Sequence, residues 1–595
     1  MMSNFNDFNN PQVKKLPEHL KQFIVEQEYA HYTPVDQAVW RFVMRQNYHF
    51  LKDIAYYPYI PGLEAAGLSI EKIPDLQEMN DALQKIGWGA VTVDGFIPPA
   101  AFMEYQSCKV LVIAADIRQL HHIEYTPAPD IIHESAGHAP IIADPDYHQY
   151  LSYFGSIGAK AMYSSRDFEL YEAIRELSIL KEMPDPDPLK LKNAEKQVLF
   201  CQKNLGDPSE MALLSRLHWW TVEYGLIGTL ENPKIYGAGL LSSIGESKSC
   251  MDHSVKKYWY TADAVNFPFD ITKPQPQLFV TPNFQNLTQV LENFADSMAF
   301  RRGGTESILK AIECRNTCTA VYSSGLQISG IFTDLRMDKH DELLFLKTSG
   351  ASALSYENKQ LEGHGKQIHA DGFSSPVGRL KNFGKALEDA NDNELEKLGI
   401  IGGQTAELNF SGGLSLNGIV GSILKRNSKL ILISFSDCTL KDEQGNVYFE
   451  PSWGVYDMAV GEKIVSVYSG AADKDAFEEV APKAKSATFH PEYTAHQKRY
   501  HDLFKQVRLC RETQSKFELL TDIWNELKQN FRDDWLCAIE ILEILELENI
   551  FTDTAKDIRI YLEMKSSSEP ELNNLIQNGF YLISKAQKGS GALRN

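Results

Sequence analysis

His133–His138, "HESAGH", opens like the H-E-x-x-H zinc-protease motif but carries its second histidine one residue late. In a regular α-helix each residue advances about 100°, so side chains five apart differ by about 140° and cannot share one ion. The spacing therefore predicts a distortion. Gly137 before the second histidine and Pro140 after it supply the means, through a π-bulge or a helix end that swings His138 round. Asp130, after the turn-prone "TPAP", is placed to cap the start. The same spacing weakens the protease reading, in which Glu134 would act as general base on a zinc-bound water.

In a chain with 16 histidines such a cluster can also arise by chance, so a third ligand decides. Glu223 is the candidate. It is the one carboxylate in the aromatic and apolar stretch "LHWWTVEYGLIG", residues 217–228, where an unpaired charge is costly. Two neutral imidazoles and a carboxylate form a donor set suited to non-haem Fe(II), with positions left open, whereas structural zinc calls for a fourth protein ligand.

Outward from this stretch, the 595 residues exceed one core. At roughly 100–200 residues per domain they imply about three or four. With 43% hydrophobic and 23% charged residues the chain reads as packed and globular. A formal net charge of −20 argues against nucleic-acid or anionic-membrane partners and favours a small-molecule substrate. The opening "MMSNFNDFNNPQVKK" has no apolar signal core and no later run is long enough to span a membrane, so the expected location is cytoplasmic. Eight irregularly spaced cysteines exclude a disulfide framework. Cys314 and Cys318 are expected on one helix face as ordinary half-buried thiols, with a metal or redox role as the alternative.

Residues 1–319 are expected to form a mainly α domain, with long amphipathic segments such as "TPVDQAVWRFVMRQNYHFL". Thr33 or Asp36 would cap that helix, with Pro34 in its first turn and Val39, Phe42, Val43 and Phe50 along one side. Residues 320–488 change to short β-branched and aromatic runs broken by glycine, predicting a β-rich domain in which "LNFSGGLSLNG" and "DEQGNVYFE" read as hairpins. Residues 489–595 return to helix and are expected to form a bundle, with a capping box from Ser568 to Glu571. No spacing beyond residue 320 suggests a metal, nucleophile or phosphate site. The C-terminal region is expected to mediate self-association, as a homo-oligomer, or to stabilise the first domain.

"YTPAPDIIHESAGHAPIIADPDY", "LHWWTVEYGLIG" and "PKIYGAGLLSSIGES", in this order, resemble the catalytic domain of the pterin-dependent aromatic amino acid hydroxylases, and among them the bacterial phenylalanine 4-monooxygenases. "YTPVDQAVWRFV" and "PQLFVTPNFQNLTQVLENFADSM" fit the same family, so the resemblance covers about residues 20–305. It implies that His133, His138 and Glu223 hold iron, and that Arg118, in "DIRQL", pairs with the substrate carboxylate. Thr126 and Ser242 match positions lining the substrate's amino-acid end, and Trp219 an aromatic wall of its pocket, while "GAGLLSS" from Gly237 lets backbones approach closely. Phe102 matches the ring that stacks on the pterin, Gly95 and Ile97 the loop beside it, and Glu134 the acid that touches the pterin through water. Taken singly, Arg118 reads as a salt-bridged arginine, Phe102 and Trp219 as core, and Ser242 as a turn or cap.

This chain departs from the family at His218, where a tyrosine or phenylalanine is usual, in "FIPPAAFMEY", and in "VNFPFDITKPQPQ", which has no close match. The implied activity is hydroxylation of L-phenylalanine to L-tyrosine with Fe(II), O₂ and a tetrahydropterin. Tryptophan or tyrosine hydroxylation is the alternative within the family. A zinc hydrolase using Glu134 as base, and a non-enzymatic interaction module in the C-terminal half, are the alternatives outside it.

Overall fold

In the computed structural model, which describes residues 9–57, 59–93, 97–124, 129–182, 187–269, 274–478 and 492–589, the first 300 residues form helices around two small sheets. One sheet pairs Gly89–Val93 with Val110–Ala114 in parallel, joined by the helix Pro99–Ser107. The other runs in the order Pro233–Ile235, Leu226–Gly228, Gln277–Thr281, Lys256–Trp259.

Thr33 caps the helix Pro34–Ile54 in a reciprocal box with Asp36, and Pro34 occupies its first turn. Val39, Phe42 and Val43 are buried, but Phe50 is 38% exposed under the Lys248 ammonium. Trp40, Arg41 and Met44 are buried instead. The cause lies far along the chain. C-terminal helices pack on this helix too, with Phe42 meeting Trp535 edge to face at 5.1 Å, so its apolar positions are not confined to one stripe.

The region from Thr317 to Ser469 holds two antiparallel sheets. The first is ordered Lys359–Gln360, Leu343–Tyr356, Leu326–Met337, Thr317–Tyr322, Ile464–Ser469, with Ser374–Pro376 also on Leu343–Tyr356. The second is ordered Thr405–Asn409, Leu414–Arg426, Lys429–Asp442, Val447–Phe449, with Tyr456–Ala459 also on Lys429–Asp442. Both expected hairpins are present, at Thr405–Arg426 and Lys429–Phe449. Cys314 and Cys318 do not share a helix: Cys314 ends the helix Gly304–Cys314 and Cys318 lies in the strand Thr317–Tyr322. The chain turns between them at Arg315, whose φ is +55°, and the two buried thiols meet across that turn.

The C-terminal helices are Ala495–Thr513, Leu519–Asn530, Leu536–Glu548, Thr552–Ser568 and Pro570–Gly589. The expected capping box at Ser568 is absent, because Ser568 is the last residue of its own helix and its hydroxyl donates back to the Lys565 carbonyl at 3.2 Å. Pro570 then starts the next helix. One continuous core takes in Val39, Trp220 and Leu240 from the first region and Leu503, Trp524, Leu542 and Ile576 from the last. Among the described residues no helix is long and apolar enough to cross a membrane.

Candidate metal centre

The late histidine is accommodated by a π-helix, Ile132–His138. Hydrogen bonds from i to i+5 widen the turn, so residues five apart stand on one side of it. His133 and His138 accordingly face one another, ring centroids 5.1 Å apart and planes at 89°. Asp130 accepts from the His133 amide at 3.0 Å, and the Ser135 hydroxyl donates to the Ile131 carbonyl. Gly137 is required for a reason outside its own turn: a Cβ there would lie 2.6 Å from the Ala238 carbonyl oxygen.

Glu223 ends a second π segment, Trp219–Glu223. Its Oε2 lies 3.2 Å from His133 Nε2 and its Oε1 3.4 Å from His138 Nε2. Gly237 lets the following helix, Ala238–Ser242, close on this segment, since a Cβ there would sit 2.5 Å from the Glu223 carbonyl oxygen. That helix brings Ser242 Oγ to 3.0 Å from His133 Nδ1.

The hydroxyl fixes the tautomer. Ser242 Oγ donates to the Ala238 carbonyl at 2.8 Å, so its oxygen accepts from His133 Nδ1–H and leaves the Nε2 lone pair toward Glu223. His138 is 2% exposed, yet neither ring nitrogen has a hydrogen-bond partner among the described residues. A buried imidazole left free of hydrogen bonds beside a carboxylate is suited to ligate a cation. Burial alone would raise the Glu223 carboxyl, but the His138 and His133 imidazoles beside it hold it well below the usual range. Two imidazoles and an ionised carboxylate thus converge, and they fit Fe(II).

Glu134 behaves differently. Burial pushes its carboxyl up to about 8, and the Glu223 and Asp130 charges add to the rise against that of His138. Its Oε2 has no hydrogen-bond partner among the described residues and lies 3.9 Å from His138 Nε2. His218, the family departure, sits with Nδ1 3.8 Å from Glu223 Oε1, edge-on to Phe102 and Phe154 at 5.9 and 5.2 Å. Burial lowers it to about 4, so it is a neutral imidazole beside the centre at neutral pH.

Arg118 is buried and its fork is engaged by Asp130, at 2.8 Å from both Nε and Nη2, with Nη1 3.4 Å from the Ile123 carbonyl. Asp130 therefore does two jobs, orienting this guanidinium and capping the π-helix. The capping half was readable from sequence; the arginine pairing was not, because it spans a turn of irregular backbone. Phe102 is half-buried on the helix Pro99–Ser107, and Ile97 packs beside the Gly89–Val93 strand. Trp219 stacks between Tyr224 and Phe269, at 4.6 and 4.4 Å. Phe269 carried no sequence signal, since it lies in a loop where hydrophobic period says nothing. Thr126 and Gly95 lie outside the described residues.

Residues 19–183 and 199–303 match the family described as biopterin-dependent aromatic amino acid hydroxylase. The phenylalanine-4-hydroxylase of Pseudomonas aeruginosa is 27% identical over 266 residues, 44% of this chain and 84% of that one. That of Chromobacterium violaceum is 26% identical over 280 residues, 47% of this chain and 77% of its own. A crystal structure of the Chromobacterium enzyme with bound iron(III) and 7,8-dihydrobiopterin aligns at a TM-score of 0.36, covering 47% of this chain and 88% of that one. The N-terminal half of the chain, residues 19–303, is thus similar to the biopterin-dependent aromatic amino acid hydroxylases.

Proposed function

We propose that this chain is a tetrahydropterin-dependent monooxygenase that converts L-phenylalanine to L-tyrosine with Fe(II) and O₂, with His133, His138 and Glu223 as the iron ligands. One observation carries the ligand set: three ligand-bearing side chains converge, and the His138 imidazole among them is buried without a hydrogen bond among the described residues. Iron, when bound, supplies the activation of O₂ with the reduced pterin as electron donor.

The chain's own residues then position and exclude water. Ser242 holds the His133 ring with its Nε2 inward. Asp130 holds the Arg118 guanidinium in one orientation, leaving Nη1, with a single 3.4 Å contact, as the group to receive a substrate carboxylate. The Trp219–Phe269 stack supplies an apolar wall for an aromatic ring, and Phe102 a face for the pterin. Glu134, held uncharged by burial, would serve as the acid that touches the pterin through water. Thr126, Gly95 and Ile97 complete the reading as substrate- and pterin-side contacts, and the location is cytoplasmic.

The test is oxygen consumption and product analysis with Fe(II) and tetrahydropterin, comparing phenylalanine, tyrosine and tryptophan. Tyrosine formed from phenylalanine, coupled to pterin oxidation and lost in His138→Ala, is the expected result. Preferred turnover of tryptophan would move the reading within the family. Zinc-dependent, pterin-independent hydrolysis of a peptide or ester would replace it.

A further inference from the structure

The β-rich region assembles a second group of metal-binding side chains, His364, His369 and Asp457, in a part of the chain where sequence spacing suggested none. The two histidines lie between the strands Lys359–Gln360 and Ser374–Pro376 of the first sheet. Backbone hydrogen bonds pin both: the Leu354 amide donates to the His364 carbonyl at 2.9 Å and the Ser352 amide to that of His369 at 3.0 Å. Between them the Gly365 carbonyl accepts from the Ile368 and His369 amides, a helical turn that folds one imidazole over the other with planes 12° apart. Asp457 comes from the second sheet, on the strand Tyr456–Ala459, held opposite Ser434.

The three donor atoms form a closed triangle. His364 Nδ1 is 3.2 Å from His369 Nε2, and Asp457 Oδ2 is 3.7 and 3.9 Å from these two nitrogens. A point equidistant from all three lies about 2.1 Å from each, which is the bond length of a first-row metal to imidazole or carboxylate, about 2.0–2.2 Å. Their side chains are only 17%, 9% and 12% exposed, yet the carboxylate makes no hydrogen bond among the described residues. Burying an ionised oxygen beside two imidazoles without a donor is costly unless a cation is shared.

We propose that His364 Nδ1, His369 Nε2 and Asp457 Oδ2 bind a divalent first-row transition metal, zinc by ligand type, with a further position open to water or an anion. The ion would bridge the two sheets, since the histidines belong to one and the aspartate to the other. This site is separate from the iron centre and does not depend on the hydroxylase reading.

The experiment uses the full-length protein loaded with Fe(II), then equilibrated with ZnCl₂, desalted and assayed for metals by mass spectrometry. Wild type should retain one zinc per chain in addition to iron and gain thermal stability with zinc. His369→Ala and Asp457→Asn should each lose the zinc and the stability gain while keeping iron and pterin-dependent turnover. His364→Gln serves as a further variant should His369→Ala fail to fold. No zinc in wild type, or equal zinc in wild type and folded variants, would overturn the site and leave a hydrogen-bonded histidine pair.

Discussion

A single hydroxyl hydrogen decides how His133 presents its ring. Because Ser242 gives that hydrogen to the Ala238 carbonyl, its oxygen receives the proton of Nδ1 and the opposite nitrogen faces Glu223. Replacing Ser242 with Ala should weaken Fe(II) binding by about 10- to 100-fold, as for other groups that orient metal-bound histidines. Iron titration checks this, and a rise in KM for phenylalanine with iron affinity unchanged would instead favour a substrate-lining role. Gly137→Ala tests the close approach behind it. With the new methyl 2.6 Å from a backbone oxygen, the helices must separate, at about 1–3 kcal/mol of stability read by thermal unfolding. That His133, His138 and Glu223 converge was legible from spacing and from one charge in an apolar stretch. The hold of Ser242 on His133 and of Asp130 on Arg118 was not, because each depends on a neighbour that only tertiary packing supplies.

Elements were legible where their period was clean and their environment one-sided. The β-runs from 326 to 469 became strands because β-branched residues alternate between glycine-containing turns. The helix Pro34–Ile54 was placed correctly at its cap and misread at Phe50, since a helix covered on two sides obeys no single stripe. Its second cover is the helix Leu536–Glu548, and the seam is ionic: Arg41 Nη1 lies 2.8 Å from both Glu540 and Glu543, and Arg45 also pairs with Glu543. Burial alone would raise the Glu543 carboxyl, but the charges of Arg41 and Arg45 bring it to about 2, from an ordinary 4.5. A depressed acid contributes stability above its unfolded pKa and loses it as pH falls. Wild type should therefore lose on the order of 3 kcal/mol between about pH 4.5 and 2 through this group. Glu543→Gln should cost about 3–5 kcal/mol at pH 7 by leaving the arginines short of a partner, and should flatten that acid limb in urea unfolding.

Across the whole molecule, the region after residue 303 is fastened to the hydroxylase unit rather than trailing from it. His19 bridges Asp475 at 2.6 Å and Glu104 at 3.0 Å, and Lys474 reaches Glu104 at 2.6 Å. Glu210 pairs with Lys310 at 3.2 Å. Of the two roles proposed for the C-terminal region, support of the first domain is the one these contacts favour. A chain ending at residue 488 should aggregate or melt well below the full-length protein, because it uncovers Phe42 and strips Arg41 of Glu540 and Glu543. A soluble truncate with the same melting temperature and iron content would sink that role. Little of this was legible from sequence, since a shared core between distant segments leaves no local pattern in either.

Arg41 and Glu540 are 499 residues apart, and that separation is also an interval of time. At a synthesis rate of about 5–20 residues per second, the arginine leaves the ribosome roughly 25–100 s before its partner exists. Throughout that interval the helix that anchors the hydroxylase unit has one face bare and only Glu71 to pair with its cation. Nascent chains of this protein should therefore depend on chaperones until the last helices emerge, and a premature stop after Lys528 should be as damaging as one near His133.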